Sequence, residues 1–169
     1  SQPAVDRQAR LFAESPAVGI LNRLPTGVAV FNASRQIVYA NDVFCRLANT
    51  GRGVSTVVGL RLGEALSCLG AKLAAGGCGT TELCRSCGAA KSIAAALLGQ
   101  ETAPSECSIS RHGVERLENL DFRIWMWSLV HGGESFHVAL LSDIRAEKRL
   151  DLMERIFYHD ILNLVSGMH

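Results

Sequence analysis

The longest strand pattern of this 169-residue chain spans residues 117–130, and it constrains the fold more than any other feature. Large apolar side chains occupy every second position from Leu120 to Met126. This period of two is typical of a strand with one buried face. Shorter β-rich runs lie before and after it, at residues 105–111 and 135–143. We therefore expect three consecutive antiparallel strands joined by turns.

Two further strand patterns lie nearer the N-terminus. Residues 27–31 (GVAVF) and 36–39 (QIVY) are separated by a polar turn of hairpin length, which predicts an antiparallel hairpin. Helical patterns follow it, and the longest of them is the alanine-rich run 89–98. The predicted order is strand, strand, short helices, strand, strand, strand. It describes an α+β domain with a five-stranded antiparallel sheet and flanking short helices.

Helical patterns also lie on both sides of the predicted sheet domain. Residues 4–24 carry apolar side chains at loosely helical spacing, interrupted by Pro16. After residue 146 the apolar residues step by three or four, which predicts a helix with a seam for a second helix. The seam consists of Leu150, Met153, Phe157, Ile161 and Leu164. We divide the chain into an N-terminal helical segment (1–24), a sheet domain (25–145) and a C-terminal helix (146–169).

Composition argues against two classes of partner. The chain has 17 Lys+Arg and 16 Asp+Glu, a net charge of +1, so we expect neither nucleic-acid binding nor contact with an anionic membrane surface. No apolar run approaches the about 18 residues of a membrane-spanning helix, and no signal peptide is evident. We interpret the chain as a cytoplasmic fragment of a longer protein, which can itself be membrane-associated.

Four of the six cysteines fall within twenty residues. Cys68, Cys78, Cys84 and Cys87 form the pattern C-x9-C-x5-C-x2-C in a polar, glycine-rich segment. A C-x2-C pair places two thiolates close enough to share one metal centre, and four thiolates complete a coordination shell. Zinc and iron–sulfur clusters both accept four thiolates. The spacing predicts a site over residues 68–87 and leaves both groups open.

The cysteines and histidines also allow other interpretations. Cys84 and Cys87 can instead form a metal-free redox dithiol. Cys45 and Cys107 fit the apolar faces of a short helix and a strand, so we predict that they are core residues. Three histidines fall in predicted turns or an edge-like strand and are interpreted as surface residues, not haem ligands: His112, His131 and His137.

The order of elements, the hairpin GVAVFNASRQIVYAND and the closing strand HVALLSDIRAEKRL resemble a PAS sensor domain over about residues 20–150. Asn41 matches the asparagine that begins a helix after the strand pair in that family. Asp143 and Ile144 match the end of its last strand, although Arg145 stands where threonine is more usual. The resemblance implies a signalling helix after the sheet and a sensory element where the middle helices meet it. The four-cysteine segment occupies that place.

The segment FYHDILN resembles the H-box of sensor histidine kinases, in which an acidic residue follows the histidine and an asparagine lies four positions after it. The resemblance implies that His159 is the phosphoacceptor, that Asp160 is its base and that Asn163 orients the phosphoryl group. The ATP-binding domain lies outside this segment. We therefore expect no enzyme activity from the fragment and a histidine kinase as its parent protein.

The predicted function is a cytosolic sensor fragment of a two-component system. A sensor needs two states that differ in free energy. A cluster has two oxidation states, whereas zinc is redox-inert and only structural, so we favour the cluster. Its redox state, or oxygen, would control autophosphorylation of His159 through the C-terminal helix. We expect a homodimer through that helix and a response regulator as partner. The alternatives are a metal-free thiol sensor using Cys84 and Cys87, or a zinc-stapled PAS dimerisation module that senses another ligand.

Overall fold

The computed structural model describes residues 2–48, 56–101, 103–113 and 116–166. Of these, residues 164–166 are described by their backbone only. Its strands are β1 (Gly27–Phe31), β2 (Ile37–Ala40), β3 (Ser105–His112), β4 (Leu117–His131) and β5 (Glu134–Asp143). They form one five-stranded sheet in the order β2-β1-β5-β4-β3, and every neighbouring pair is antiparallel. The predicted α+β architecture is confirmed.

Eight helices of the described ranges flank the sheet. They are α1 (Gln2–Ala13), α2 (Ala17–Leu21), α3 (Asp42–Leu47), α4 (Leu62–Ala65), α5 (Leu69–Lys72), α6 (Glu82–Ser86), α7 (Gly88–Leu97) and α8 (Arg145–Ser166). Residues 62–72 form two short helices, α4 and α5, because Ser67 adopts a left-handed φ of 58° that ends α4. Of the helices described, none has both the length and the apolar character to cross a membrane.

Helices cover the sheet on both faces. On one face, a core cluster joins Phe122 and Leu141 of the sheet to Phe44, Leu66 and Ile93 of the middle helices. The alternating side chains of β4 from Leu120 to Met126 are buried in this cluster, as their period predicts. On the other face α1 packs against the sheet through its own cluster. The cysteine segment therefore belongs to a helical layer that packs on the sheet.

Asn41 joins the hairpin to α3. Its Oδ1 accepts the N–H groups of Phe44 and Val28, each at 2.9 Å. Its Nδ2 donates to the carbonyl groups of Leu21 and Thr26, also at 2.9 Å. The predicted N-cap is confirmed, and the fully buried side chain satisfies four backbone groups rather than one.

The expectation that His137 is a surface residue is wrong. Its strand, β5, lies at the centre of the sheet between β1 and β4, and its side chain is buried. The Nδ1 atom lies 3.2 Å from Ser128 Oγ, and burial lowers the pKa of the imidazole. The sequence pattern of β5 did not reveal its position in the sheet, because that position depends on its long-range pairing with β1.

Candidate functional site

The four clustered cysteines lie in the helical layer over β3. Cys68 precedes α5, Cys78 lies in the loop before α6, Cys84 lies within α6 and Cys87 separates α6 from α7. All four line one cavity of about 660 Å³, and apolar side chains from α4, α7 and β3 also contribute to its wall. The predicted site residues are therefore brought to one place.

Close backbone packing fixes Cys78 against α4. A Cβ atom at Gly63 would lie 2.8 Å from Cys78 Sγ, so only glycine allows this approach. Burial raises the pKa of Cys78 to about 11, although the Gly63 backbone N–H opposes the shift. At neutral pH this cysteine is a thiol unless a positive centre binds it.

Cys84 lies in a set of hydrogen-bond donors. Burial raises its pKa, but the donors outweigh burial, and the net pKa of this thiol is lowered. The Thr81 hydroxyl lies 3.2 Å from Cys84 Sγ, and the Gly79 N–H donates to the same sulfur at 3.3 Å. The loop before α6 therefore favours the thiolate form of Cys84.

Cys87 is the most strongly activated of the four. The Cys107 thiol donates a hydrogen bond to Cys87, and this contact lowers the pKa of Cys87 to about 6. Burial opposes the shift, whereas the N–H groups of Ala89 and Ala90 and the charge of Lys91 add to it. The N–H groups at the start of α7 thus contribute to the shift, as a helix N-terminus does for a thiolate. The same contact and burial raise the pKa of Cys107.

Cys107 is the residue that sequence reasoning missed. It is buried, as expected for a core cysteine, but its thiol contacts Cys87. The alternation of β3 contained the signal, because Cys107 has the same parity as Ile109 and therefore faces the helical layer. The predicted dithiol paired Cys84 with Cys87 on spacing alone and did not include this strand residue.

The start of α7 is pressed against β3 beside this contact. A Cβ atom at Gly88 would lie 2.1 Å from the carbonyl oxygen of Glu106. Ser105 Oγ also donates to the Gly88 carbonyl group at 3.2 Å. These two contacts between neighbouring residues hold Cys87 next to Cys107.

Among the residues that the structure describes, the four cysteines line one cavity without forming a closed metal site. Within the described ranges, no three or more histidine, cysteine, aspartate or glutamate side chains are grouped so that they could hold a metal ion. Besides burial, the charges of Cys84, Cys68 and Cys87 each raise the pKa of Cys78, so the four sulfurs repel one another as thiolates. A shared positive centre would relieve that repulsion. The identity of such a group stays a prediction.

The three H-box side chains lie together on α8. Asn163 Nδ2 lies 3.1 Å from His159 Nδ1, and Asp160 Oδ1 lies 3.5 Å from the same nitrogen. The His159 side chain is 74% exposed. At about 100° per residue, His159 points away from Phe157 and Ile161. The imidazole is therefore accessible, and the roles of the three residues stay predictions.

The rest of α8 exposes a broad apolar surface. Its large exposed side chains are Leu150, Leu152, Met153, Ile156, Phe157, Tyr158, Ile161 and Leu162. The predicted seam falls on this surface, except that the side chain of Leu164 lies outside the described residues. A second helix would bury this surface.

Ion pairs join the start of α8 to the sheet. Lys148 Nζ lies 2.9 Å from Asp121 Oδ1 and 3.4 Å from Glu106 Oε2. Arg123 lies 2.7 Å from Glu147 and 3.2 Å from Glu106. Glu106 therefore takes part in two of these pairs, and it precedes Cys107 in β3.

Comparisons with known proteins identify the fold. No protein-family model and no curated protein matches the sequence. The chain is similar to the PAS domain of nitrogen regulation protein NR(II) from Vibrio parahaemolyticus, with 16% identity and a TM-score of 0.51, over 77% of this chain and 99% of that one. It is also similar to a light-oxygen-voltage domain studied with a flavin analogue, with 14% identity and a TM-score of 0.53, over 88% and 98% of the two chains. The chain has a PAS fold.

Proposed function

We propose that this chain is the sensory part of a two-component histidine kinase and that its four-cysteine cavity binds an iron–sulfur cluster. Redox state or oxygen would act at Cys68, Cys78, Cys84 and Cys87, and α8 would pass the change to His159. The proposal rests on one observation. All four cysteines line one cavity, and β3, which forms part of the cavity wall, is ion-paired to α8.

We favour a cluster over zinc because a sensor needs two states that differ in free energy. Zinc–sulfur bonds of about 2.3 Å would draw four thiolates together around one ion, whereas a cluster fills space between its ligand sulfurs. About 660 Å³ lies among these cysteines and their neighbours. When bound, a cluster supplies two oxidation states of different charge. A charge change beside thiolates is the kind of signal that a sensor needs.

The route from the cavity to α8 passes through Glu106. Its carbonyl oxygen is in contact with Gly88, which follows the cavity residue Cys87. Its carboxylate pairs with Arg123 and with Lys148 of α8. A shift of α7 at the cavity would therefore move a strand residue that holds the start of α8. The chain's own part in phosphoryl transfer is then to expose or cover His159 in a parallel homodimer, while ATP binding and the response regulator belong outside it.

This route predicts that Glu106→Gln loosens the start of α8. The substitution removes the charge from two ion pairs, so we expect amide hydrogen exchange over residues 145–150 to rise roughly two- to fivefold, the scale of surface ion pairs. Glu82→Gln is the matched control, because its pair with Arg85 involves neither β3 nor α8. Equal exchange in the two variants would show that Glu106 does not connect the site to the helix.

Purification without oxygen tests the identity of the bound group. We expect a brown protein that contains iron and acid-labile sulfide and has visible sulfur-to-iron absorption bands. A colourless protein loaded with zinc would support the zinc-stapled dimerisation module instead. A metal-free protein would support the thiol sensor.

One observation favours a specific form of the thiol sensor. The contact of Cys87 is with Cys107, so the metal-free switch would use this pair in place of Cys84 and Cys87. A small-molecule disulfide would accept two electrons and two protons from the two thiols and be released as two thiols, while Cys87 and Cys107 become joined. Mass spectrometry of oxidised, metal-free protein would locate that bond.

A further inference from the structure

A second cavity adjoins the cysteine cavity and is lined by cationic side chains. Its volume is about 340 Å³. The cations come from four places in the fold: Arg35 in the turn between β1 and β2, Arg61 before α4, Arg85 in α6 and Lys91 in α7. The chain as a whole has a net charge of only +1. Positive charge is therefore concentrated at this cavity.

Most of this charge is not neutralised by the protein. Of the four cations, only Arg85 forms an ion pair within the described part of the chain, with Glu82 at 3.2 Å. Arg35 and Arg61 are half-buried. Removing a guanidinium from water without a counter-charge is unfavourable. A bound anion would supply the missing charge.

Two of the cations are held in place at the cavity wall. Arg35 has a left-handed backbone, with φ of 64°, and its Nη1 lies so close to Gly79 that a Cβ atom there would be 2.6 Å from it. Arg61 Nη1 donates to the carbonyl groups of Gly76 and Cys78. These neutral acceptors orient the side chain without cancelling its charge. The Arg61 guanidinium is therefore preorganised, and the Arg35 guanidinium lies against the backbone at Gly79.

We propose that this second cavity binds a small molecule with two or more anionic groups of the carboxylate or phosphate type, held by Arg35, Arg61 and Lys91. Guanidinium groups match both carboxylate and phosphate with paired hydrogen bonds. The volume lies at the lower end of the range for small-molecule pockets, which is more than a monatomic anion needs. Cations from separate elements suit a ligand with more than one charged end.

This site would give the domain a chemical input besides the cysteines. The two cavities share wall residues, among them Leu62, Cys78 and Cys84. An anion in the second cavity would therefore contact both the loop that carries Cys78 and helix α6, which carries Cys84. Lys91 belongs to α7, which begins directly after Cys87, so an anion held by Lys91 would act on a helix that also lines the cysteine cavity.

Calorimetric titration at constant ionic strength tests the proposal with two probes, succinate and pyrophosphate. Binding of either supports it, and the probe that binds more tightly identifies the source as carboxylate or phosphate. We expect Arg35→Gln and Lys91→Gln each to raise the dissociation constant about tenfold or more, the scale of a charge-assisted hydrogen bond. The matched control is Arg10→Gln, which removes an exposed positive charge of α1 outside the cavity.

Several outcomes would overturn the proposal. They are no binding of either probe, unchanged affinity in Arg35→Gln and Lys91→Gln, or an equal loss in the Arg10→Gln control. Metal content is measured on the same samples. If the cavity variants lose metal and bind the anions unchanged, the cations serve the cysteine site. Thermal unfolding confirms that each variant is folded, and the exposed position of Lys91 makes its variant the safer of the two.

Discussion

Replacing Cys84 with alanine should reduce bound metal from about one group per chain to nearly none. The proposed coordination shell consists of four thiolates. Cys84 supplies one of them, and hydrogen bonds from Thr81 and Gly79 stabilise its thiolate form. Loss of one ligand leaves an open shell in a cavity that water can reach, which exposes an iron–sulfur group to hydrolysis and oxidation. Iron, zinc and sulfide analysis of anaerobically purified protein measures the effect.

The matched control is Cys45→Ala. Cys45 is buried in α3 and does not line the cavity, so this variant should keep its metal and lose at most the stability of one small core side chain. Circular dichroism verifies that both variants are folded. Metal content in Cys84→Ala equal to that in Cys45→Ala would remove the basis for the cluster.

Gly88→Ala should destabilise the domain by about 3 kcal/mol or more and separate Cys87 from Cys107. The new methyl group would meet a backbone carbonyl oxygen of Glu106, which cannot move aside as a flexible side chain can. The start of α7 must therefore shift away from β3. Denaturant unfolding measures the loss of stability, and metal analysis shows whether the cavity keeps its ligands.

Gly19→Ala provides the control with the opposite sign. Gly19 lies in α2, and a Cβ atom there has no heavy atom within 4 Å among the described residues. Alanine should stabilise this helix by up to about 1 kcal/mol. If both glycine variants were equally stable, the tight approach of Gly88 to β3 would be refuted.

The sheet could be predicted from sequence because its signals are local. The alternation in β4 identified a strand with one buried face, and the polar turn between β1 and β2 identified the hairpin. Strand order was not accessible in the same way. His137 was misplaced because no local pattern says that β1 pairs with β5 and makes β5 a central strand.

The sequence predicted that the four cysteines lie near one another but not which contacts they make. The spacing of Cys68, Cys78, Cys84 and Cys87 indicated a common site, and the structure places all four around one cavity. The contact of Cys87 with Cys107 joins residues from different elements, so spacing could not reveal it. The cation-lined cavity was missed for the same reason, since its arginines are far apart in sequence and converge only in the fold.

The sheet order has a mechanical consequence for sensing. In the described part of the chain, β3 pairs with one strand only, because it stands last in the sheet order, next to β4. A displacement of β3 strains a single ladder, whereas the same displacement of β5 would strain two. The cysteine cavity thus rests on the more compliant margin of the domain. Small rearrangements among the sulfurs can therefore displace β3 without breaking the hydrogen bonds between the central strands.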